Sequence, residues 1–394
     1  MLVTLCVTEI TSWGVLYYAF PVLAAEINAG TGWPVVSVTA AFSGSLLVAA
    51  LVGIWVGRVL DRRGPRAVMT AGSVLAVPAV LLIAAAQNLV WFCAAWLLGG
   101  VAMGAVLYPP AFAALTRWYG PRRVHALTVL TLAAGLASTV FAPLTAALAA
   151  HLGWRGAYVV LAIVLALVTV PGHAWGLRGQ WPEPVEDGPV NPANAPARVL
   201  RSRAFIALVA ALALSGFVAS AVVINLVPLL VERGIEPGTA AVALGLGGVG
   251  QVLGRLGHRP LARWLGVRGR TVLVLVAVAG TTAVLGVLTS AAALIFAATV
   301  AGMARGILTL LNATAVTDRW GALHYGRLTG VLSAPRTVTT ALAPWAGASL
   351  AAVTGDYSSM FLVLAAMTLA ATALAVASTP PQLSTRWRCR STVS

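Results

Sequence analysis

The chain has 394 residues, of which 60% are hydrophobic and only 9% charged, and its mean hydropathy is +0.92. A soluble domain carries about a quarter of its residues as charges, so the composition excludes a soluble protein and identifies an integral membrane protein. The formal charge of +15 does not make it a nucleic-acid binder, because that needs a basic face on a soluble module and no such module is present. All 25 basic residues are arginine, a bias typical of a GC-rich genome and without mechanistic content. Cys6, Cys93 and Cys389 are scattered with no metal or CxxC spacing, so neither a metal site nor a cofactor is expected. The first apolar segment runs on as a span without a small-residue cleavage site, which predicts no cleaved leader.

A spanning helix needs roughly 20 mostly apolar residues. With that ruler the sequence predicts twelve, at 2–26, 35–57, 67–87, 89–115, 124–150, 155–177, 204–231, 239–256, 271–289, 291–316, 326–351 and 357–378. One connection is long: residues 178–203, rich in proline, acid and arginine, read as an irregular linker. The expected organisation is an all-α membrane protein with one six-helix bundle at 1–177, a cytoplasmic linker at 178–203, a second bundle at 204–378 and a cytoplasmic tail at 379–394. Most arginines fall in alternate loops, and the rule that cytoplasmic loops hold the excess places both termini in the cytoplasm. The outer loops instead hold Glu26, Glu232, Glu236 and Asp356.

The halves repeat each other. Gly100–Trp118 laid over Gly302–Trp320, an offset of 202, gives seven identities in nineteen positions, among them Gly100/Gly302, Gly104/Gly306, Arg117/Arg319 and Trp118/Trp320. A parallel duplication of six helices puts a substrate site between the halves near the midplane.

Between the second and third spans lies GRVLDRRGPR, from Gly57 to Arg66. The spacing Gly57, Asp61, Arg62, Gly64, Arg66 resembles the loop signature of the major facilitator superfamily. The resemblance implies secondary transport by alternating access and a loop that latches the two halves on the cytoplasmic side; a plain positive-inside signal is the simpler alternative. In the second half Gly254-Arg255 is kept and His258 replaces the aspartate. RWYGPRRVHA at Arg117–Ala126, Gly153-Trp154-Arg155, and Gly14, Tyr17, Tyr18 and Phe20 in the first span resemble the oxalate/formate antiporter and monocarboxylate porter branch. That branch carries basic residues in its eighth and eleventh helices. Arg336 fits the second, whereas the eighth span at 239–256 shows no mid-span charge, which argues against a small dicarboxylate such as oxalate.

Arg305 and Arg336 fall inside spans, where an arginine costs about 3 kcal/mol on insertion scales and usually faces a cavity and something negative. Thr309 and Asn312 follow Arg305 on one stripe. A guanidinium fork matches a carboxylate, so Arg305 and Arg336 are the expected substrate contacts, with Asn312, Tyr17 and Tyr18 as further polar groups of the site. The alternative is internal pairing, for instance of Arg305 with Glu9. Glu9 is the one acidic residue well inside a span and the candidate for proton coupling. His125, His173 and His324 are expected near helix ends at the membrane interface. Glycines at 245, 247, 248, 250 and 254 predict close helix packing, and Pro109-Pro110, Pro143 and Pro344 predict kinks.

No Walker-type signature is present, so ATP drive is not expected, and no cluster of His, Asp or Ser in the spans points to an enzyme. The expectation is a secondary transporter of a small, monocarboxylate-like organic anion. It would work as a monomer in the cell membrane, in a bacterium the inner membrane, with lipid and a small anionic molecule as partners, protons as a coupling ion and no nucleic acid. The other reading is a proton-coupled exporter of a larger amphipathic metabolite or drug.

Overall fold

The computed structural model describes residues 1–181, 196–320 and 325–378, and the side chains of Arg58, Asp61, Arg123, His258 and Arg259 are among those outside the described set. Most of the predicted linker, all of the tail, and His324 therefore lie outside it. The described residues form helices and no strands. The long ones are α1 (Leu2–Thr31), α2 (Val35–Arg63), α3 (Pro65–Ala84), α4 (Leu89–Tyr119), α5 (123–152), α6 (154–176), α7 (Arg203–Glu232), α8 (Pro237–Trp264), α9 (Val267–Val287), α10 (Ala291–Thr314), α11 (Tyr325–Thr354) and α12 (Tyr357–Ala377). Ten stretches of the described residues are long and apolar enough to cross a membrane. One of them, His125–Gly176, spans 52 residues and turns back at Gly153, supplying both α5 and α6. α11, 30 residues long, completes the twelve predicted passes.

Local sequence accounts for the breaks. Gly153 takes φ 65, a conformation open to glycine and costly for L side chains. Arg155 then donates to the Ala86 carbonyl at 2.7 Å and lies 4.1 Å over the Trp154 ring, fixing the start of α6 against the end of α3. α4 leaves helical geometry at Leu107, just ahead of Pro109-Pro110, whose missing N–H groups cannot continue the ladder. α5 loosens at Gly135-Leu136.

Two expectations are corrected here. The stretch 57–66 is not a loop: α2 stays helical through Arg63, Gly64 alone turns the chain at φ 76, and Pro65 opens α3. The Gly64 N–H closes α2 on the Leu60 carbonyl, and proline's fixed φ suits the first position of the next helix. His173 is not interfacial; it is fully buried between α6 and α3, its Nδ1 2.7 Å from the Ser73 hydroxyl.

Equivalent helices pair in the two halves: α2 with α4 as α8 with α10, α3 with α6 as α9 with α12, and α1 with α5 as α7 with α11. A Cβ at Gly302 would overlap the Gly247 backbone, and one at Gly100 would overlap Ser45, the equivalent position 202 residues earlier. Backbone-to-backbone contact of this kind is how helices gain dispersion energy in lipid, where burial of apolar surface gives no drive.

The halves meet along α2 with α11, α5 with α8, and α1 with α7. Away from the face that carries Met1, a single apolar cluster joins Val22, Ala142 and Ala146 to Val222, Leu226, Leu244 and Phe361 of the second half. Trp345 N–H donates to Ser43 Oγ at 3.0 Å, and Thr139 to the Gly245 carbonyl at 2.8 Å, across the same boundary. On the Met1 face the clusters are separate, one around Leu5, Leu115 and Leu130, the other around Phe205, Leu275 and Leu311. Apolar packing therefore seals the halves together away from the Met1 face, whereas on the Met1 face their apolar clusters are separate and the bond from Arg255 to the Thr131 carbonyl crosses between them.

Gly302→Ala is expected to force α8 from α10 and lower the melting temperature of the purified protein, overpacking costing about 1–3 kcal/mol. Gly280→Ala, where nothing lies within 4 Å of the added Cβ, is expected to leave it unchanged.

Candidate functional site: a cationic cavity between the halves

Between the halves lies a cavity of about 480 Å³. Arg305, Arg336, Asn312, Tyr17 and Tyr18, read from the sequence as a site, all line it. None of its described lining residues is acidic.

α1 presents two consecutive tyrosines to it because Gly14–Tyr18 forms a π-helical turn, which turns less per residue than an α-helix and keeps neighbours on one face. Gly14 also lets α1 lie on α5, since a Cβ there would overlap Phe141. The Tyr17 hydroxyl lies 3.2 Å from Ser220 Oγ, and Ser220 donates to the Thr340 carbonyl, so one chain of hydrogen bonds crosses from α1 through α7 to α11.

Each cavity arginine is laid against a glycine of a neighbouring helix. An ideal Cβ on Gly247 of α8 would stand 3.3 Å from Arg305 Nη2, and one on Gly216 of α7 would stand 3.1 Å from Arg336 Nε. The same relation holds for Arg255 and Gly135 of α5, at 3.1 Å from Nη1. Small residues here leave lanes in which long side chains lie extended and pre-set. Arg305 is 9% exposed, and the Nε atoms of Arg305, Arg336 and Arg255 are buried without a hydrogen-bond partner.

The internal pairing of Arg305 with Glu9 is not made. Among the described residues the salt bridge is Arg270 to Asp318, next to the repeat residue Arg319. Arg319 itself bonds Ser378 and the Ala315 carbonyl, while its equivalent Arg117 stacks 4.5 Å over the Trp181 ring. Glu9 is fully buried and does not line the cavity; among the described residues neither carboxylate oxygen meets normal hydrogen-bond geometry, although the Trp13 indole N–H lies close enough to act on it. Trp13, one turn further along α1, lines the cavity.

Arg255 is the residue that the sequence misplaced. The eighth span was expected to end at 256, but α8 runs to Trp264, so Arg255 is 7% exposed within the helix and lines the cavity. It bonds the Thr131 carbonyl of α5, across the two halves. Helix eight thus brings a basic residue, Arg255, to the cavity lining from the end of its expected span. The signal was present in the repeat, which set Gly254-Arg255 over Gly57-Arg58 and so near the end of a helix that itself runs on to Arg63. Trp13, Tyr108 and Gln251 were also missed; Trp13 is four residues before Tyr17 and so shares its helix face.

Of the stretch 57–66, Gly57 has open space where a Cβ would stand, a Cβ on Gly64 would stand 3.3 Å from Trp181, and Arg62 is exposed. Arg66 donates from Nε to the Ala174 carbonyl at 2.8 Å, within its own half. The Asp61 side chain lies outside the described residues.

Comparison with known proteins agrees with this architecture. The match to the YcxA protein of Bacillus subtilis, an MFS-type transporter, is 27% identical over 134 residues, 34% of this chain and 33% of that one, so the chain spans only a third of that relative's length. Monocarboxylate transporter 11 of Mus musculus is 28% identical over 334 residues, 80% of this chain and 72% of that one. The crystal structure of a bacterial homologue of the human lysosomal transporter Spinster, in an inward-facing and occupied conformation, superposes with a TM-score of 0.75 over 96% of both chains at 14% identity, a likeness of fold alone. The model of the Major Facilitator Superfamily matches residues 5–290, well over half of the sequence, and the chain belongs to that superfamily of membrane transporters.

Proposed function

We propose that the chain moves a small, monocarboxylate-like organic anion across the membrane by alternating access, its halves at 1–177 and 204–378 rocking about the cavity. The carrying observation is that a buried guanidinium group from α10 and a half-buried one from α11 share one cavity with no carboxylate among its described lining residues. A cation held out of water needs a counter-charge, and the transported anion supplies it, with Arg305 and Arg336 as the fork and Tyr17, Tyr18 and the unpartnered Oδ1 of Asn312 around it. The resemblance to a monocarboxylate transporter supports the same chemistry.

Alternating access needs a closed state for each side. The sealed side in this structure is the one away from Met1, and the arginine-rich Met1 face corresponds to the cytoplasm by charge distribution. The state is then inward-facing, with the Gly57, Asp61, Arg62, Gly64, Arg66 element released; on closure it would latch α2 and α3 to the other half. Glu9, buried beside the cavity, is the proton site of this proposal. The tail and linker would lie in the cytoplasm, and the transporter would act as a monomer. A cavity of about 480 Å³ is generous for a three-carbon acid, which keeps the larger amphipathic substrate of the second reading within the same site.

Arg336→Ala and Arg305→Ala are expected to raise the KM for labelled carboxylate uptake in proteoliposomes at least about tenfold, since a hydrogen bond to a charged group is worth about 1.5–3 kcal/mol. Unaltered uptake in both variants would take the arginines out of the site. Asp61→Asn is expected to slow transport severalfold while binding affinity holds; a large loss of binding would show that the element belongs to the site instead. Glu9→Gln is expected to abolish stimulation of uptake by an inward-acid gradient, and stimulation that persists in this variant would end the coupling role.

A further inference from the structure

The cavity has two chemically different walls. The second half contributes the guanidinium groups of Arg255, Arg305 and Arg336. Facing them, the first half contributes four aromatic side chains, Trp13, Tyr17, Tyr18 and Tyr108. These rings form one connected surface: Trp13 and Tyr17 meet edge to face at 5.2 Å, as do Tyr17 and Tyr18 at 5.2 Å, and Trp13 and Tyr108 meet tilted at 4.8 Å. Tyr108 is backed in turn by Phe112, stacked at 4.9 Å. A contiguous set of rings held in mutual contact is pre-organised, and it offers edges and faces to another ring at little entropic cost.

The dimensions point the same way. A volume of about 480 Å³ falls in the range that houses drug-sized ligands rather than two- or three-carbon acids. A short aliphatic acid on the guanidinium wall would leave the opposite wall in contact with water. Arg305 lies close enough to Tyr17 and Tyr18 to interact with them electrostatically, so the two walls are near enough for one ligand to span.

We propose that the substrate is an aromatic carboxylate, its carboxylate on Arg305 and Arg336 and its ring seated against Trp13, Tyr17 and Tyr108. This rests on the anion-transport reading above and narrows its substrate class. A planar ring gains contact with the aromatic wall that no aliphatic monocarboxylate can make, and it fills the width of the cavity while the fork fixes its head. Nothing further is required of the protein: both walls are already formed in this structure.

Pyruvate and phenylpyruvate separate the possibilities because they share the keto-acid head and differ by the ring. Equilibrium binding of each to the purified full chain is to be measured by thermal shift and by intrinsic tryptophan fluorescence. Phenylpyruvate is expected to bind about tenfold more tightly or better, and Trp13→Leu is expected to bring the ratio of the two affinities close to one. Tyr108→Leu carries the same comparison should Trp13→Leu not fold. Pyruvate binding as tightly as phenylpyruvate, or a preference for phenylpyruvate that survives both variants, would overturn the aromatic assignment and leave the small-anion reading standing. Binding of neither acid would overturn both.

Discussion

A guanidinium group removed from water must be answered by negative charge or hydrogen-bond acceptors, and in this chain the protein does not answer two of them. Arg305 is buried and Arg336 half-buried, each with a buried Nε atom that has no hydrogen-bond partner, in a cavity whose described lining residues include no acid. Other arginines show that the fold can satisfy such a group when it needs to. Arg233 bonds the carbonyls of Leu288 and Gly286 and the hydroxyl of Ser358, and Arg319 bonds Ser378 and Thr271. Those arginines join helices. Of the cavity arginines Arg255 does so too, through Thr131 of α5, but Arg305 and Arg336 make no such bond among the described residues, and the difference marks those two as addressed to something that comes and goes.

The scaffold serves this arrangement through glycine. Gly247 and Gly302 bring α8 onto α10, and Gly216 and Gly247 keep clear the lanes in which Arg336 and Arg305 lie. Helix packing and site geometry are thus set by the same residues, so a substitution that loosens one disturbs the other. The two halves also divide the chemistry: duplication gave them the same frame, yet Met103 stands where the second half has Arg305, and the aromatic residues gather in the first half. The cavity is polarised, with charge on one side and π-surface on the other.

Much of this was legible in the sequence because lipid enforces simple rules. Apolar length set the twelve passes, the offset of 202 set the equivalence of halves, and the cost of a mid-span charge singled out Arg305, Arg336 and Glu9 before any geometry was known. What was hidden depended on where helices stop. Counting apolar residues ends a span at its first charges, but a helix can continue into the interface with its arginines extended. That is why Gly57–Arg63 looked like loop, and why Arg255 looked like surface when it is part of the cavity. The π-helical turn at Gly14–Tyr18 has no periodic signature at all, since one widened turn shifts the register of a face without changing its composition. His173 was misread because proximity to a predicted helix end says nothing about which neighbour covers it; Ser73, a hundred residues away, is its partner.

The central claim is that Arg305 and Arg336 are left uncompensated for a transported anion, not retained to hold the fold together. Its most direct test is the melting temperature of the purified Arg305→Ala, Arg336→Ala double variant beside the wild type, with and without carboxylate ligand. Removing uncompensated buried charge should leave the ligand-free variant at least as stable as the wild type, while only the wild type gains stability as ligand is added. A double variant that melts well below the wild type, together with a wild type indifferent to carboxylates, would contradict the account and make both arginines structural.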